Sequence, residues 1–190
     1  MCFYITATLP KGTQVEKFRK LLDEYNMSFS PLHNPLIESQ LRPGDLYFRA
    51  TKEYCDCDTI VGSLNNLQDF QNLYNSKKVK KLKKKKWSEE KINNWIKEKL
   101  ETKKLEKRNK ITPLETKQKV ERWVDFLHHI LDEKLVSRIG ILKHWYTRGL
   151  EDEDIKIKKF QRININDLNQ NILLNLSEDT LYEFLPSYHY

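Results

Sequence analysis

The sequence predicts an α+β fold: a single domain with a mixed or antiparallel sheet, helices mainly on one face, and a basic helical-hairpin excursion. Three observations carry this expectation. Two stretches, Cys2–Leu9 and Leu46–Thr51, alternate at the period of a strand. Other stretches space apolar residues three and four apart behind N-cap residues. Lysine is concentrated in the middle third of the chain.

At 190 residues, the chain suits one well-buried core with an elaboration. The expected organisation is a strand-helix-strand-helix part (1–76), a lysine-rich linker and basic helix (77–110), and a closing part (111–190). That last part, an amphipathic helix, a strand hairpin and a C-terminal strand, belongs to the same domain as 1–76.

In the first strand Phe3, Ile5, Ala7 and Leu9 share one face, and Cys2, Tyr4, Thr6 and Thr8 the other; Pro10 and Gly12 end it. Thr13 and Glu16 make a capping-box pattern for a helix carrying Val15, Phe18, Leu22 and Tyr25. Residues 26–45 read as an irregular connection containing Pro31, Pro35 and the turn Arg42-Pro43-Gly44-Asp45. In the next strand Leu46, Phe48 and Ala50 alternate with Tyr47, Arg49 and Thr51. If the two strands are neighbours, Arg49 and Thr51 share a face with Tyr4, Thr6 and Thr8, either a floor for a phosphate or carboxylate or an ordinary solvent face. Gly62-Ser63 then opens a helix with the stripe Leu64, Leu67, Phe70, Tyr74, and Ser63 as its N-cap turns free N–H groups toward Asp56, Asp58 and Thr59.

Eight of the ten residues 77–86 are lysine, and their mutual repulsion predicts an extended linker or a frayed helix end. Ser88 caps a new helix, with Trp87 stapled onto Ile92 and a stripe of Ile92, Trp95, Ile96 and Leu100. A second capping box, Thr112-Pro113-Leu114-Glu115, opens the clearest amphipathic helix, marked by Val120, Trp123, Val124, Leu127, Leu131 and Leu135. These two helices are expected to pack as an antiparallel hairpin. Residues 136–148 fit two periods, Ile139, Ile141 and Trp145 a strand and Ile139, Leu142 and Tyr146 a helix; the strand is preferred, paired across the acidic turn 151–154 with an arm carrying Ile155, Ile157, Phe160, Ile163 and Ile165. Asn166 or Asp167 caps a short helix through Leu176, and Thr180–Leu185 closes as a strand.

The net charge of +7 is unevenly spread: residues 77–110 hold 16 Lys and Arg against five Glu, leaving +11 there and −4 elsewhere. The leading functional expectation is a nucleic-acid or polyanion-binding protein using Lys77, Lys78, Lys80, Lys81, Lys83, Lys84, Lys85, Lys86, Lys103 and Lys104. An adaptor or inhibitor that binds an acidic protein surface through the same segment is an alternative. No apolar run is long enough to span a bilayer and no signal peptide is recognisable, which predicts a cytoplasmic protein with no membrane partner.

Cys55-Asp56-Cys57-Asp58 is the most unusual local sequence. A second functional alternative is a nucleotide or small-molecule site, catalytic or not, with Arg49, Thr51, Asp58 and Ser63 binding ligand and Cys55, Cys57 and His144 as candidate catalytic groups. Asp56 and Asp58 oppose a thiolate there, and a buried structural turn is the competing reading. The Cys-x-Cys spacing is shorter than zinc pairs use. Cys2 as a third ligand would still need His33 or His144 as a fourth, so neither metal nor cofactor is predicted. His128 and His129 do not lie on one helix face, and the 151–154 turn lacks the glycine of a calcium loop. The chain has no Walker motif, dinucleotide fingerprint or nucleophile elbow.

Overall fold

A computed structural model of the chain describes residues 2–57, 59–62, 67–110 and 113–187. It divides into two compact units, Met1–Leu64 with Lys119–Tyr190, and Asn65–Gln118. The first contains a six-stranded mixed sheet formed by β1 (Cys2–Leu9), β2 (Met27–Pro31), β3 (Leu46–Thr51), β4 (Ile139–Tyr146), β5 (Lys159–Asn164) and β6 (Thr180–Leu185). Their order is β2-β3-β1-β4-β6-β5. All neighbours are antiparallel except β5 and β6. The helices are α1 (Arg19–Glu24), α2 (Pro35–Glu38), α3 (Leu67–Tyr74), α4 (Lys77–Lys84), α5 (Glu89–Lys110), α6 (Pro113–Asp132) and α7 (Gln170–Leu174). The protein is therefore α+β, and among the described residues no helix is long and apolar enough to cross a membrane.

β1 sits between β3 and β4, with Thr6 opposite Arg49 on one side and Tyr4 opposite His144 on the other. Arg49 therefore shares a face with Tyr4 and Thr6, as the alternation predicts. That face is neither an open floor nor a solvent surface. Thr6 and Thr8 are buried, and Tyr47 and Tyr146 form a second core with Ile37 of α2 and Ile155. Two hydroxyls make this burial tolerable: Tyr47 and Tyr146 hydrogen-bond each other at 2.7 Å. On the opposite face Phe29, Phe48 and Phe126 pack, with the Phe126 ring of α6 5.7 Å from that of Phe29.

Several expected elements change. Thr13 donates its hydroxyl to the Pro10 carbonyl, and Glu16 pairs with Arg19, so no capping box forms and the helix starts as a 3₁₀ turn, Val15–Phe18, before α1. Residues 26–45 hold β2 and α2, the latter capped by Asn34, whose side chain accepts from the N–H groups of Leu36 and Ile37. The 155–165 arm does not form a hairpin with β4: β6 lies between them, and β5 pairs with β6 in parallel. The intervening α7 provides the crossover that parallel strands require. Its cap is Asn169, not Asn166 or Asp167.

In the second unit Val79, Leu82, Ile92 and Ile96 form a small core, joined by Phe70, Leu73, Tyr74, Trp87, Trp95 and Leu100. The lysine run is helical here, not an extended linker. Val79 and Leu82, three apart, are fully or nearly buried, which supplies the stripe that the surrounding charge conceals in the sequence. Ser76 caps α4 by accepting from the Val79 N–H at 3.3 Å. Lys86, at φ 58°, ends the turn in the left-handed region. The Lys86 N–H then donates to the Lys83 carbonyl, and that of Trp87 to Leu82. Ser88 caps α5 through the Lys91 N–H, as expected.

Candidate functional site

β3 pairs with β1 only over Thr6–Leu9, leaving the N–H groups of Phe3 and Ile5 without a strand partner on that side. The loop after Thr51 returns to take them. The Asp56 N–H donates to the Phe3 carbonyl at 2.8 Å. Asp56 Oδ2 accepts from the Ile5 N–H at 2.8 Å and from the Thr51 hydroxyl at 3.0 Å. Cys57 Sγ accepts from the Phe3 N–H at 3.3 Å. The loop closes on itself through Thr59, which bonds the Asp56 carbonyl. A Cβ on Gly62 would stand 2.0 Å from that carbonyl oxygen, so only glycine allows the return.

This return carries Cys55 and Cys57 to Cys2. The three Sγ atoms lie within 4.8 Å of one another, and all three cysteines are free and half-buried. Burial pushes the Cys57 thiol up to about 11, reinforced by the neighbouring Cys55 and only partly offset by the Phe3 N–H. Cys57 is thus a neutral thiol and a poor nucleophile. Burial likewise pushes the Asp56 carboxyl up to about 6, against its two hydrogen bonds and the charge of Arg49. Two buried polar atoms here, Asp56 Oδ1 and Arg49 Nε, have no hydrogen-bond partner among the described residues. The Arg49 guanidinium lies 5.1 Å from the Tyr4 ring centre and donates to the Tyr54 carbonyl at 2.9 Å.

Thr51 and Cys55 also line a cavity of about 510 Å³. Met27, Ile60 and Trp123 give it apolar walls, and Lys52, Lys119 and Arg122 add cations. Asp58 and Ser63, predicted ligand contacts, lie outside the described residues.

His144 stands on the Tyr4 face of the sheet but is not one of the clustered ligands. Its Nδ1 pairs with Asp179, which also accepts from Lys158 Nζ at 2.5 Å. Burial raises the Asp179 carboxyl, but the hydrogen bonds from His144 and Lys158 outweigh it and hold the group below its ordinary value of 3.8. A depressed carboxylate stabilises the fold above its unfolded-state value and loses that contribution as pH falls. Asp179→Asn, tolerated at the φ of 59° found there, should therefore lower the unfolding midpoint at neutral pH. The difference from wild type should close below pH 3.8; a gap constant down to pH 2–3 (roughly the range where the carboxylate protonates) would show that charge is not its cause.

A further cluster, which no local motif announces, forms around Glu183 of β6. Arg42, Arg138 and Arg162 all approach its carboxylate, at 2.6, 3.7 and 3.4 Å, and Arg138 also binds Asp45. The arginines come from three distant segments, and only the insertion of β6 between β4 and β5 brings them together.

On α4 every lysine is exposed. Among the described residues of the unit, Lys83 is the α4 lysine with side-chain partners: its ammonium meets the Tyr74 hydroxyl at 2.7 Å and Glu89 at 3.0 Å. Lys103 is exposed on α5, and the side chain of Lys104 lies outside the described set. Trp87 and Trp95 pack into the small core, and the Lys91 ammonium sits 4.4 Å from the Trp87 ring centre. The unit 65–118 carries 17 Lys and Arg against seven Asp and Glu, a net +10, and the remainder of the chain −3.

No match to this chain was found among protein-family models, curated proteins or solved structures.

Proposed function

We propose that the chain binds nucleic acid through the lysine face of α4, without sequence preference. The observation that carries this reading is the arrangement of the helix: Val79 and Leu82 turned inward, and Lys77, Lys78, Lys80, Lys81, Lys84, Lys85 and Lys86 outward with no acidic partner among the described residues. Such a face is costly to the isolated protein. Lys77 with Lys81 and Lys80 with Lys84 are like-charge pairs four apart, each destabilising by about 0.2–0.5 kcal/mol. Lys77 and Lys78 also oppose the positive end of the helix. Phosphates relieve both effects and release counterions in doing so.

The chemistry of the face favours backbone contact over base reading. Residues 77–110 contain one arginine, Arg108, and lysine supplies a point charge, not the planar fork that reads guanine. Trp87 and Trp95 are committed to the core, so stacking on bases contributes little.

Fluorescence anisotropy of the full chain against a labelled single-stranded oligonucleotide tests the proposal. Saturable binding at low salt that survives polyglutamate at equal charge is expected. Displacement by polyglutamate at equal charge would favour an acidic protein partner, and absence of binding at low salt would refute the proposal.

A further inference from the structure

All the cysteines of the chain meet at one point, Cys2 from β1 and Cys55 and Cys57 from the loop that completes its edge. We infer that Cys2, Cys55 and Cys57 form a three-thiolate site for a thiophilic cation, with Zn²⁺ as the ion. This site is independent of the basic helical unit and of its proposed partner.

The donor set selects the metal. Thiolates favour soft or borderline ions such as Zn²⁺ and Cu⁺ and exclude Mg²⁺ and Ca²⁺, which take oxygen ligands. Three sulfurs bound to zinc at about 2.3 Å stand about 3.8 Å apart in a tetrahedron. Sulfurs already within 4.8 Å reach that spacing by rotamer adjustment, because all three side chains are only half-buried. The Phe3 N–H donates to Cys57 Sγ, the kind of outer contact that steadies a metal-bound sulfur. Three thiolates and a dication leave one negative charge. Arg49, against the Tyr4 ring whose neighbours include Cys2 and Cys55, supplies a nearby positive one.

The spacing objection to a zinc site applies to a closed four-ligand site built from paired cysteines. Among the described residues no fourth ligand joins the cluster. Three protein ligands leave the fourth position to water or a small ligand, the pattern of reactive zinc and not of a structural knot. Cys55 also lines the 510 Å³ cavity, so a molecule held there lies beside one of the ligating sulfurs. On binding, each thiol releases its proton to solvent; no electron is transferred, and sulfur keeps its oxidation state.

The test uses the full chain, reduced and stripped with a chelator, then dialysed against Zn²⁺ and assayed by atomic emission. One ion per chain is expected, with submicromolar affinity. Co²⁺ in its place should give intense visible bands and thiolate-to-metal charge transfer. Cys2→Ser and Cys57→Ser should each weaken binding about tenfold or more. If those variants fold poorly, alkylation of the wild type decides: Zn²⁺ should slow modification of all three cysteines together. No bound zinc, full affinity in both variants, or unchanged alkylation would each overturn the site. Uptake of Cu⁺ with no uptake of Zn²⁺ would overturn the assignment of the ion.

Discussion

Replacing Lys78, Lys81, Lys84 and Lys85 together by glutamine is expected to weaken oligonucleotide binding roughly tenfold to a hundredfold at about 0.1 M salt, without loss of fold. All four side chains are exposed. Glutamine is as good a helix former as lysine. Relief of like-charge repulsion, about 0.2–0.5 kcal/mol per pair four apart, is offset by the loss of Lys81 and Lys84 from the last turn, where the helix dipole favours cations. Binding therefore falls while stability changes little, which separates a contact role from general damage. The slope of log affinity against log salt should flatten by about 3, since each lysine–phosphate contact contributes about 0.7 to 0.9. Lys83→Gln should behave differently. Its ammonium is held by Tyr74 and Glu89, so its loss affects the helical unit more than the ligand. Equal affinity in the fourfold variant and wild type would remove α4 from the interface.

Asp56→Ala is expected to be the most damaging single substitution in the sheet unit. It deletes the acceptor of the Ile5 N–H and the Thr51 hydroxyl and leaves two donors unsatisfied in a buried place. Each such loss costs about 1–3 kcal/mol, so the sum is about 2–6 kcal/mol. For a unit of this size that lowers the unfolding midpoint by on the order of 10 °C. Calorimetry with chelator present reads the effect free of any metal contribution. The second consequence is local: Cys57 should alkylate faster, because the same loop holds it against β1. A midpoint within a degree or two of wild type (roughly the error of a surface substitution) would mean that the loop is not clamped by this carboxylate.

The sequence makes some of this architecture legible and hides the rest for identifiable reasons. β1 and β3 follow from strict alternation, and the register of Thr6 against Arg49 bears out the shared face. Ser88 and Trp87 announce the start of α5 because capping and stapling are local interactions. β2 was concealed because Phe29 adopts φ 48° and the pairing slips between Met27 and Ser30, which breaks the period. α4 was concealed because two apolar residues among eight lysines read as a repelling chain; the burial of Val79 and Leu82, a tertiary effect, decides otherwise. The place of β6 between β4 and β5 is a non-local choice that no hairpin signal encodes.

The candidate site divides in the same way. The unusual Cys-Asp-Cys-Asp stretch marks the loop, and Thr51 and Arg49 hydrogen-bond to it, Thr51 at Asp56 and Arg49 at the Tyr54 carbonyl. Local spacing does not reveal that the first strand begins with Cys2 at the same point, nor that the aspartate between the cysteines serves as a backbone acceptor. His144 is legible as a strand residue followed by two aromatics, but its partner Asp179 lies thirty-five residues away in a segment with no motif.

The salt dependence of oligonucleotide binding by the unmodified chain tests the central claim most directly. A log–log slope of about −3 or steeper, the same for unrelated sequences, is the predicted result. A slope near zero, or affinity that depends on sequence and not on salt, would contradict a lysine helix as the working surface.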